Sequence, residues 1–132
     1  MTERHQLKFL WLKGPYAIVR LAGDAAIPEW ATTGDFTSIT RTADELSIVC
    51  RLENLPGEIH SAHGWQCFKL EGPFPFSQTG ILLSFIGPLS SAGIPIFAIS
   101  TFDTDYVLIP DEFASAALDA VERAGHELTG TS

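Results

Sequence analysis

The segment at residues 77–108 reads SQTGILLSFIGPLSSAGIPIFAISTFDTDYVL, and its pattern decides the fold of the second half of the chain. Apolar residues recur in its first part at intervals of one helical turn, which is typical of a helix with one buried face. These residues are Ile81, Leu82, Phe85, Ile86 and Leu89. We predict a helix over residues 77–92 that is kinked at Pro88 and ends at a left-handed Gly93.

Two strands and a second helix follow. Residues 94–101 form a nearly continuous apolar run, and residues 106–109 form another run beyond a short polar turn. After Pro110, Asp111 is a candidate N-cap for a helix that ends at Gly125. The apolar face of that helix consists of Phe113, Ala117, Val121 and Ala124.

A strand on each side completes the pattern. Residues 65–70 carry aromatic and long side chains, and residues 126–128 leave room for a last short strand. The resulting order, βαββαβ, predicts an α+β, ferredoxin-like fold with an antiparallel sheet and both helices on one face. We therefore predict a C-terminal unit over residues 65–132.

The first 64 residues are richer in strand and poorer in helix. Two strand-like runs flank Lys13-Gly14-Pro15, a turn sequence that predicts a hairpin. Residues 36–42 and 46–52 predict two further strands, and Pro28 limits any helix to a short piece. This N-terminal unit, residues 1–64, reads as a degenerate second copy of the same fold.

Composition and charge exclude several classes of partner. The net charge is −8, from 16 acidic and 8 basic residues, which disfavours binding to a nucleic-acid backbone. No apolar stretch approaches the roughly 18 residues that span a bilayer, and the polar start lacks a signal-peptide core. Cys50 and Cys67 lie in apolar runs, which indicates buried free thiols in a reducing compartment. We predict a cytoplasmic protein that binds neither nucleic acid nor membrane.

The side chains that usually carry catalysis or metals form no convincing set. Glu58, His60 and His63 are close in sequence, but they lie in a predicted loop without a third ligand in register. No nucleophile elbow, phosphate loop or cysteine–histidine pair is evident. We expect no metal, no cofactor and no enzymatic activity.

Three stretches together resemble the ACT-domain family. SQTGIL at residues 77–82 opens a helix directly after a strand, and PLSSAGIPI at residues 88–96 connects that helix to the next strand. ISTFDTDYVL at residues 99–108 supplies two strands and their turn. The resemblance is closest over residues 67–108 and looser over residues 36–51. It implies two ACT-like units in one chain, the first of them degenerate.

The resemblance also implies a function. ACT units pair side by side, and a free amino acid binds at the junction between units, so we expect an amino-acid-binding regulatory protein that forms a homodimer. The positions that match the ligand-contacting part of the family are Ser77, Gln78, Thr79, Gly80, Ile81, Thr101, Phe102, Asp103 and Asp105. An acidic residue is expected near the position of Gln78 when the ligand is arginine, so the neutral amide favours a polar or apolar ligand.

The chemistry of these residues suits a zwitterion. The start of the first helix offers backbone N–H groups to a carboxylate, and Gly80 permits close approach of the ligand to the backbone. Asp103 and Asp105 suit an ammonium group. Each residue also has a structural explanation, because Ser77 or Thr79 can be a helix cap and aspartate is a common turn residue. The alternative function is a structural interaction module that has the fold and no ligand.

Overall fold

The computed structural model describes residues 5–59, 64–75 and 77–132 of the chain. Packing of the Cα atoms divides the chain into two compact units. The C-terminal unit comprises Met1–Lys13 and Gln66–Ser132, and the N-terminal unit comprises Gly14–Trp65.

The described residues form seven strands and two α-helices. The strands are β1 (Lys8–Ala22), β2 (Ser38–Arg41), β3 (Glu45–Arg51), β4 (Trp65–Leu70), β5 (Phe97–Ser100), β6 (Asp105–Pro110) and β7 (Glu127–Thr131). The helices are α1 (Ile81–Ser91), between β4 and β5, and α2 (Ala114–Arg123), between β6 and β7. In the part of the chain described, no helix is long and apolar enough to cross a membrane.

The C-terminal unit has the predicted element order, β4-α1-β5-β6-α2-β7. Its strands are arranged β7-β1-β4-β6-β5, and the first half of β1 pairs in parallel with β7. The antiparallel sheet with two helices is therefore present, with one additional strand inserted beside β4. Both helices contribute to one core, which contains Phe9, Phe68, Leu70, Phe85, Leu89, Val107, Ile109, Ala117 and Val121.

The N-terminal unit is a smaller antiparallel sheet. Its strands are arranged β2-β3-β1, with the second half of β1 at one side. Two 3-10 turns, Glu29–Thr32 and Leu52–Asn54, are the only helical elements among its described residues. Its core contains Ala17, Val19, Ala31, Leu46, Ile48 and Cys50. The unit is rich in strand and poor in helix, as its sequence indicates.

The predicted hairpin at Lys13-Gly14-Pro15 is wrong. The backbone stays extended through these residues as the single 15-residue strand β1. The two halves of this strand have different partners, because residues 8–11 pair with β7 and residues 16–22 pair with β3. The structure thus assigns residues 1–13 to the C-terminal unit, whereas the sequence division at residue 64 assigned them to the N-terminal unit.

The first helix begins later than its predicted start at Ser77. Gly80 has a φ of 81°, in the left-handed region, which is incompatible with a right-handed helix. Helix α1 therefore starts one residue later, at Ile81. Its end matches the prediction, because Gly93 has a φ of 75° and the N–H groups of Gly93 and Ile94 bond to the carbonyls of Ser90 and Leu89. This is the Schellman arrangement.

The second helix also differs at its start. Asp111 is part of a 3-10 turn and does not cap α2, whose N-cap position is held by Phe113 without a side-chain bond. The Asp111 carboxylate instead accepts a hydrogen bond of 2.7 Å from the Gln66 side chain. Ala117 and Val121 are buried as predicted, whereas Ala124 is exposed. Gly125 ends α2 with a φ of 97°.

Helix α1 continues through Pro88 to Ser91 because two neighbours accommodate the proline. Gly87 has no Cβ, which removes the contact that disfavours helical conformation before proline. Proline has no N–H, so it leaves the carbonyl of Ser84, four residues earlier, without its helical partner. Nε2 of the buried His126 lies 2.8 Å from that carbonyl oxygen.

The second nitrogen of the same imidazole is also bonded. The N–H of Leu7 donates to Nδ1 of His126 over 3.0 Å, so the ring proton is on Nε2, which donates to Ser84. The ring also lies 5.3 Å from the ring of Phe85, centroid to centroid. His126 therefore links the N-terminal segment to α1 and supplies the donor that Pro88 lacks.

A double-mutant cycle tests whether the His126 imidazole replaces the hydrogen-bond donor that is missing at Pro88. His126→Phe keeps an aromatic ring, somewhat larger than the imidazole, but leaves two buried polar groups unpaired, which lowers the free energy of unfolding by about 2–5 kcal/mol. Pro88→Ala restores an N–H opposite the Ser84 carbonyl, and we expect it to stabilise the His126→Phe variant by about 1 kcal/mol more than it stabilises the wild type. Urea denaturation measures the free energy of unfolding of the wild type, the two single variants and the double variant. An equal effect of Pro88→Ala in both backgrounds would contradict the assignment.

Both cysteines are buried and free, as predicted. Burial raises the pKa of the thiols of Cys50 and Cys67, with the stronger effect on Cys67. A raised pKa keeps the sulfur protonated, and the thiolate is the reactive species.

We therefore expect both thiols to resist a chromogenic disulfide reagent at pH 8 in the native protein. In denaturant, the same protein should release about two equivalents of the coloured thiol product per chain within seconds. This control shows that both thiols are free. Rapid stoichiometric labelling of the native protein would show that these side chains are accessible.

Candidate functional site

The C-terminal unit contains an open cleft with a volume of about 190 Å³. One wall is formed by the chain between β4 and α1 and contains Phe74, Pro75, Gln78 and Ile81. The other wall is the end of the β5–β6 hairpin and contains Ser100, Thr101, Phe102, Asp103, Thr104 and Asp105. The cleft thus combines the first residue of α1 with a polar turn.

Backbone and hydroxyl hydrogen bonds hold the hairpin turn in place. The N–H of Thr101 donates to the carbonyl of Thr104 over 2.8 Å, and the hydroxyl of Thr101 donates to the same oxygen over 3.0 Å. The buried hydroxyl of Thr104 donates to the carbonyl of Leu70, at the end of β4, over 2.7 Å. These bonds anchor the polar turn to the strand that precedes the opposite wall.

The two walls also meet through the main chain. The N–H of Phe74 donates to the carbonyl of Asp103 over 2.9 Å. Gly72 makes this approach possible, because a Cβ atom at that position would lie 2.8 Å from the Asp103 carbonyl oxygen. The width of the cleft is consequently set by main-chain contacts.

Asp105 is held in a defined orientation. It is the cross-strand partner of Ser100, and the Ser100 hydroxyl donates a hydrogen bond to its Oδ1 atom. The Asp105 side chain is half-buried, whereas Asp103, at the tip of the turn, is exposed. The cleft therefore contains one oriented carboxylate and one solvated carboxylate.

The start of α1 is held from the side facing the N-terminal segment. The hydroxyl of Ser84 donates to the carbonyl of Gly80 over 2.7 Å and accepts from the N–H of His5 over 3.0 Å. Nε2 of His5 lies 3.0 Å from the carbonyl oxygen of Thr79. No side chain in the described part of the chain caps the helix, so its first N–H groups have no side-chain acceptor.

The cleft brings together six of the nine residues that the sequence proposed. Gln78, Ile81, Thr101, Phe102, Asp103 and Asp105 line it. Ser77, Thr79 and Gly80 are outside its lining, and neither Ser77 nor Thr79 acts as the helix cap. Their proposed ligand contacts remain predictions.

Four lining residues are outside the nine positions that the sequence proposed: Phe74, Pro75, Ser100 and Thr104. Ser100 was missed because the predicted strands, residues 94–101 and 106–109, placed the turn one residue too late; the turn occupies residues 101–104, so residues 100 and 105 face each other. Phe74 and Thr104 gave no local signal, since their positions depend on the contact between the hairpin turn and the end of β4.

The chemistry of the lining is acidic and partly apolar. Two carboxylates, hydroxyl groups and one amide line the cleft together with Phe74, Ile81 and Phe102. Phe102 is 79% exposed, which is unusual for a phenylalanine. No lysine, arginine or histidine is among the described lining residues. Such a cleft favours a cation beside an apolar group.

No group of three or more histidine, cysteine, aspartate or glutamate side chains within residues 5–59, 64–75 and 77–132 could hold a metal ion. His60 and His63, which the sequence analysis considered and rejected as ligands, lie outside the described residues.

Family comparisons divide the chain near the same point as the structure. A family model described as an ACT domain matches residues 60–123. A second model, described as an N-terminal domain, matches residues 14–58. The cytosolic arginine sensor for mTORC1 subunit 1 from Homo sapiens and from Rattus norvegicus is 32% identical over 60 residues. The match spans 45% of this chain and only 18% of the length of those relatives.

Solved structures extend the likeness to nearly the whole chain. The crystal structure of protein Atu0741 from Agobacterium tumefaciens has a TM-score of 0.89 and 48% identity, covering 96% of this chain and 94% of that one. Protein VC0802 from Vibrio cholerae, described as a possible transport protein, has a TM-score of 0.73 and 17% identity, with 91% of each chain covered. The regulatory subunit of aspartate kinase from Thermus flavus has a TM-score of 0.57 and 17% identity, covering 93% and 99%. The last two likenesses show a shared fold.

The anchoring of the hairpin turn can be tested with Thr104→Val. This change keeps the side-chain shape but removes the donor to the buried Leu70 carbonyl, and it should lower the free energy of unfolding by about 1–2 kcal/mol. Thr40→Val, the same change at an exposed strand position, should stay within about 0.5 kcal/mol of the wild type. Denaturant titration compares the two, and equal effects would show that the Thr104 bond contributes nothing specific.

Proposed function

The chain belongs to the ACT-domain family through its C-terminal unit, and we propose that it is a regulatory protein that binds a free amino acid in the cleft of that unit. The observation that carries the proposal is the position of Asp103 and Asp105 across the cleft from Gln78 and Ile81, at the start of α1. The ACT-domain match covers this whole region. One set of relatives is named as an arginine sensor, and one structural neighbour as a regulatory subunit.

The geometry supports one orientation of the ligand. The ammonium group of the amino acid lies beside Asp105 and Asp103, where charge-assisted hydrogen bonds are available. Its carboxylate lies at the start of α1, where N–H groups and the positive end of the helix dipole favour an anion. The side chain contacts the apolar surface of Phe74 and Phe102, both of which line the cleft.

We further propose that a second copy of the chain covers the open side of the cleft in a homodimer. The sequence analysis expected the ligand at a junction between units, and an open cleft gains affinity when a neighbour excludes water from its ion pairs. Ligand binding then shifts the population of dimer conformations, which is the regulatory signal. We propose a cytosolic location, in agreement with the relatives named as cytosolic, and binding without chemical turnover.

Thermal unfolding in the presence of each of the twenty amino acids tests the proposal. A ligand specific for the folded state at one hundred times its dissociation constant stabilises it by about 2.7 kcal/mol, which raises the melting temperature by several degrees. Asp105→Asn should reduce this shift strongly because it removes the charge that faces the ammonium group. Asp44→Asn, an exposed change in the N-terminal unit, should leave the shift unchanged.

The alternative function gives a different result. The highly exposed Phe102 also fits a surface that contacts another protein. In that case no amino acid at millimolar concentration changes the melting temperature, and sedimentation shows an assembly whose size is independent of every amino acid. This pair of results would reject amino-acid binding.

A further inference from the structure

We propose that the cleft selects its ligand by charge, accepting amino acids with neutral or cationic side chains and rejecting those with acidic side chains. This inference rests on the proposed function and specifies the class of amino acid. Its basis is the composition of the lining, in which two carboxylates are the only charged groups among the described residues.

An acidic ligand adds a further carboxylate to the site. The ligand always brings one carboxylate, and the start of α1 provides one position for an anion. Aspartate or glutamate brings a second carboxylate, and the described lining offers no lysine, arginine or histidine to meet it. In the proposed orientation the ligand side chain contacts Phe102, the neighbour of Asp103 on the hairpin wall, so that group lies near a carboxylate, and like charges a few ångströms apart repel each other in a partly desolvated site.

Two positively charged side chains of the C-terminal unit have partners of their own outside the lining. Nζ of Lys69 lies 5.9 Å from the centroid of the Tyr106 ring, so this ammonium is directed to an aromatic face. Arg123, at the end of α2, is paired with Asp119 over 2.7 Å. Lys69 and Arg123 do not line the cleft. The charge of the site therefore remains negative.

Ser100 acts as a positioning residue for Asp105. Its hydroxyl donates to Oδ1 of Asp105 and holds that carboxylate in one orientation. Because a hydroxyl has only one proton, this bond involves Oδ1 alone, and the Ser100 hydroxyl does not also bond to Oδ2. Without the serine, Asp105 gains rotamer freedom and can turn towards solvent, which weakens both its attraction for the ammonium and its repulsion of an acidic side chain.

The size of the cleft is compatible with this class. A volume of about 190 Å³ somewhat exceeds the roughly 150 Å³ cavity that holds benzene in engineered proteins. The space suits an amino acid of small or medium size, and both members of each isosteric pair, asparagine with aspartate and glutamine with glutamate, occupy nearly the same volume. A difference in affinity between the amide and the acid of one pair therefore reflects charge and not shape.

Calorimetry with the full chain at pH 7.5 tests the proposal with these two pairs, together with leucine, methionine and lysine. We expect each amide to bind at least about tenfold more tightly than its acid, which corresponds to about 1.4 kcal/mol. The ratio should fall towards one at 1 M salt, where the screening length is about 3 Å. It should also fall in Asp105→Asn, because one of the repelling charges is removed.

Variants of Ser100 separate positioning from general stability. Ser100→Ala should lower the amide-to-acid ratio, whereas Ser100→Thr, which keeps the hydroxyl, should restore it. Ser90→Ala, at an exposed position on α1, is the matched control and should leave both the ratio and the affinities unchanged. A loss of stability alone would weaken all ligands equally and would not alter the ratio.

The possible outcomes distinguish the two proposals. Equal or tighter binding of aspartate and glutamate would overturn charge selection and leave amino-acid binding standing. A ratio unaffected by Ser100→Ala would overturn the positioning role of Ser100. Failure of every amino acid to bind, including the cationic ones, would overturn the proposed function and charge selection with it.

Discussion

The imidazole of His126 is the interaction on which the C-terminal unit depends. Pro88 is placed inside α1, where it removes a helical hydrogen bond and leaves the Ser84 carbonyl without a donor. His126 supplies that donor through Nε2 and accepts the N–H of Leu7 through Nδ1. One buried ring therefore donates the hydrogen bond that Pro88 cannot donate within α1. The same ring also binds the segment that leads into β1.

The first residue of α1 belongs both to the hydrophobic core and to the lining of the cleft. Ile81 is the first residue of α1, is buried in the core and lines the cleft. The opposite wall is fixed by other bonds, because the hydroxyl of Thr104 donates to the end of β4 and the carbonyl of Asp103 accepts from the N–H of Phe74. In the ligand-binding role that we propose, two walls held by these bonds would reduce the entropy that a ligand loses on binding.

Local sequence signals predicted those parts of the fold that depend on neighbours along the chain. The spacing of Ile81, Phe85 and Leu89 identified the buried face of α1, and Gly93 and Gly125 marked the helix ends, because only glycine occupies the left-handed position without strain. The hairpin prediction at Gly14-Pro15 failed for the opposite reason. A turn sequence describes what the backbone can do locally, whereas β1 remains extended because each of its halves pairs with a different, distant strand.

The sequence by itself determined the element order of the C-terminal unit and the buried thiols, which follow from periodicity and polarity, and its resemblance to a family pointed to six of the residues that line the cleft. Tertiary structure alone decided that the first half of β1 lies between β7 and β4, that His126 compensates for Pro88, and that Phe74 and Thr104 join the site. These features are contacts between residues far apart in the chain. Their energies appear only when the backbone has been folded, so no local pattern contains them.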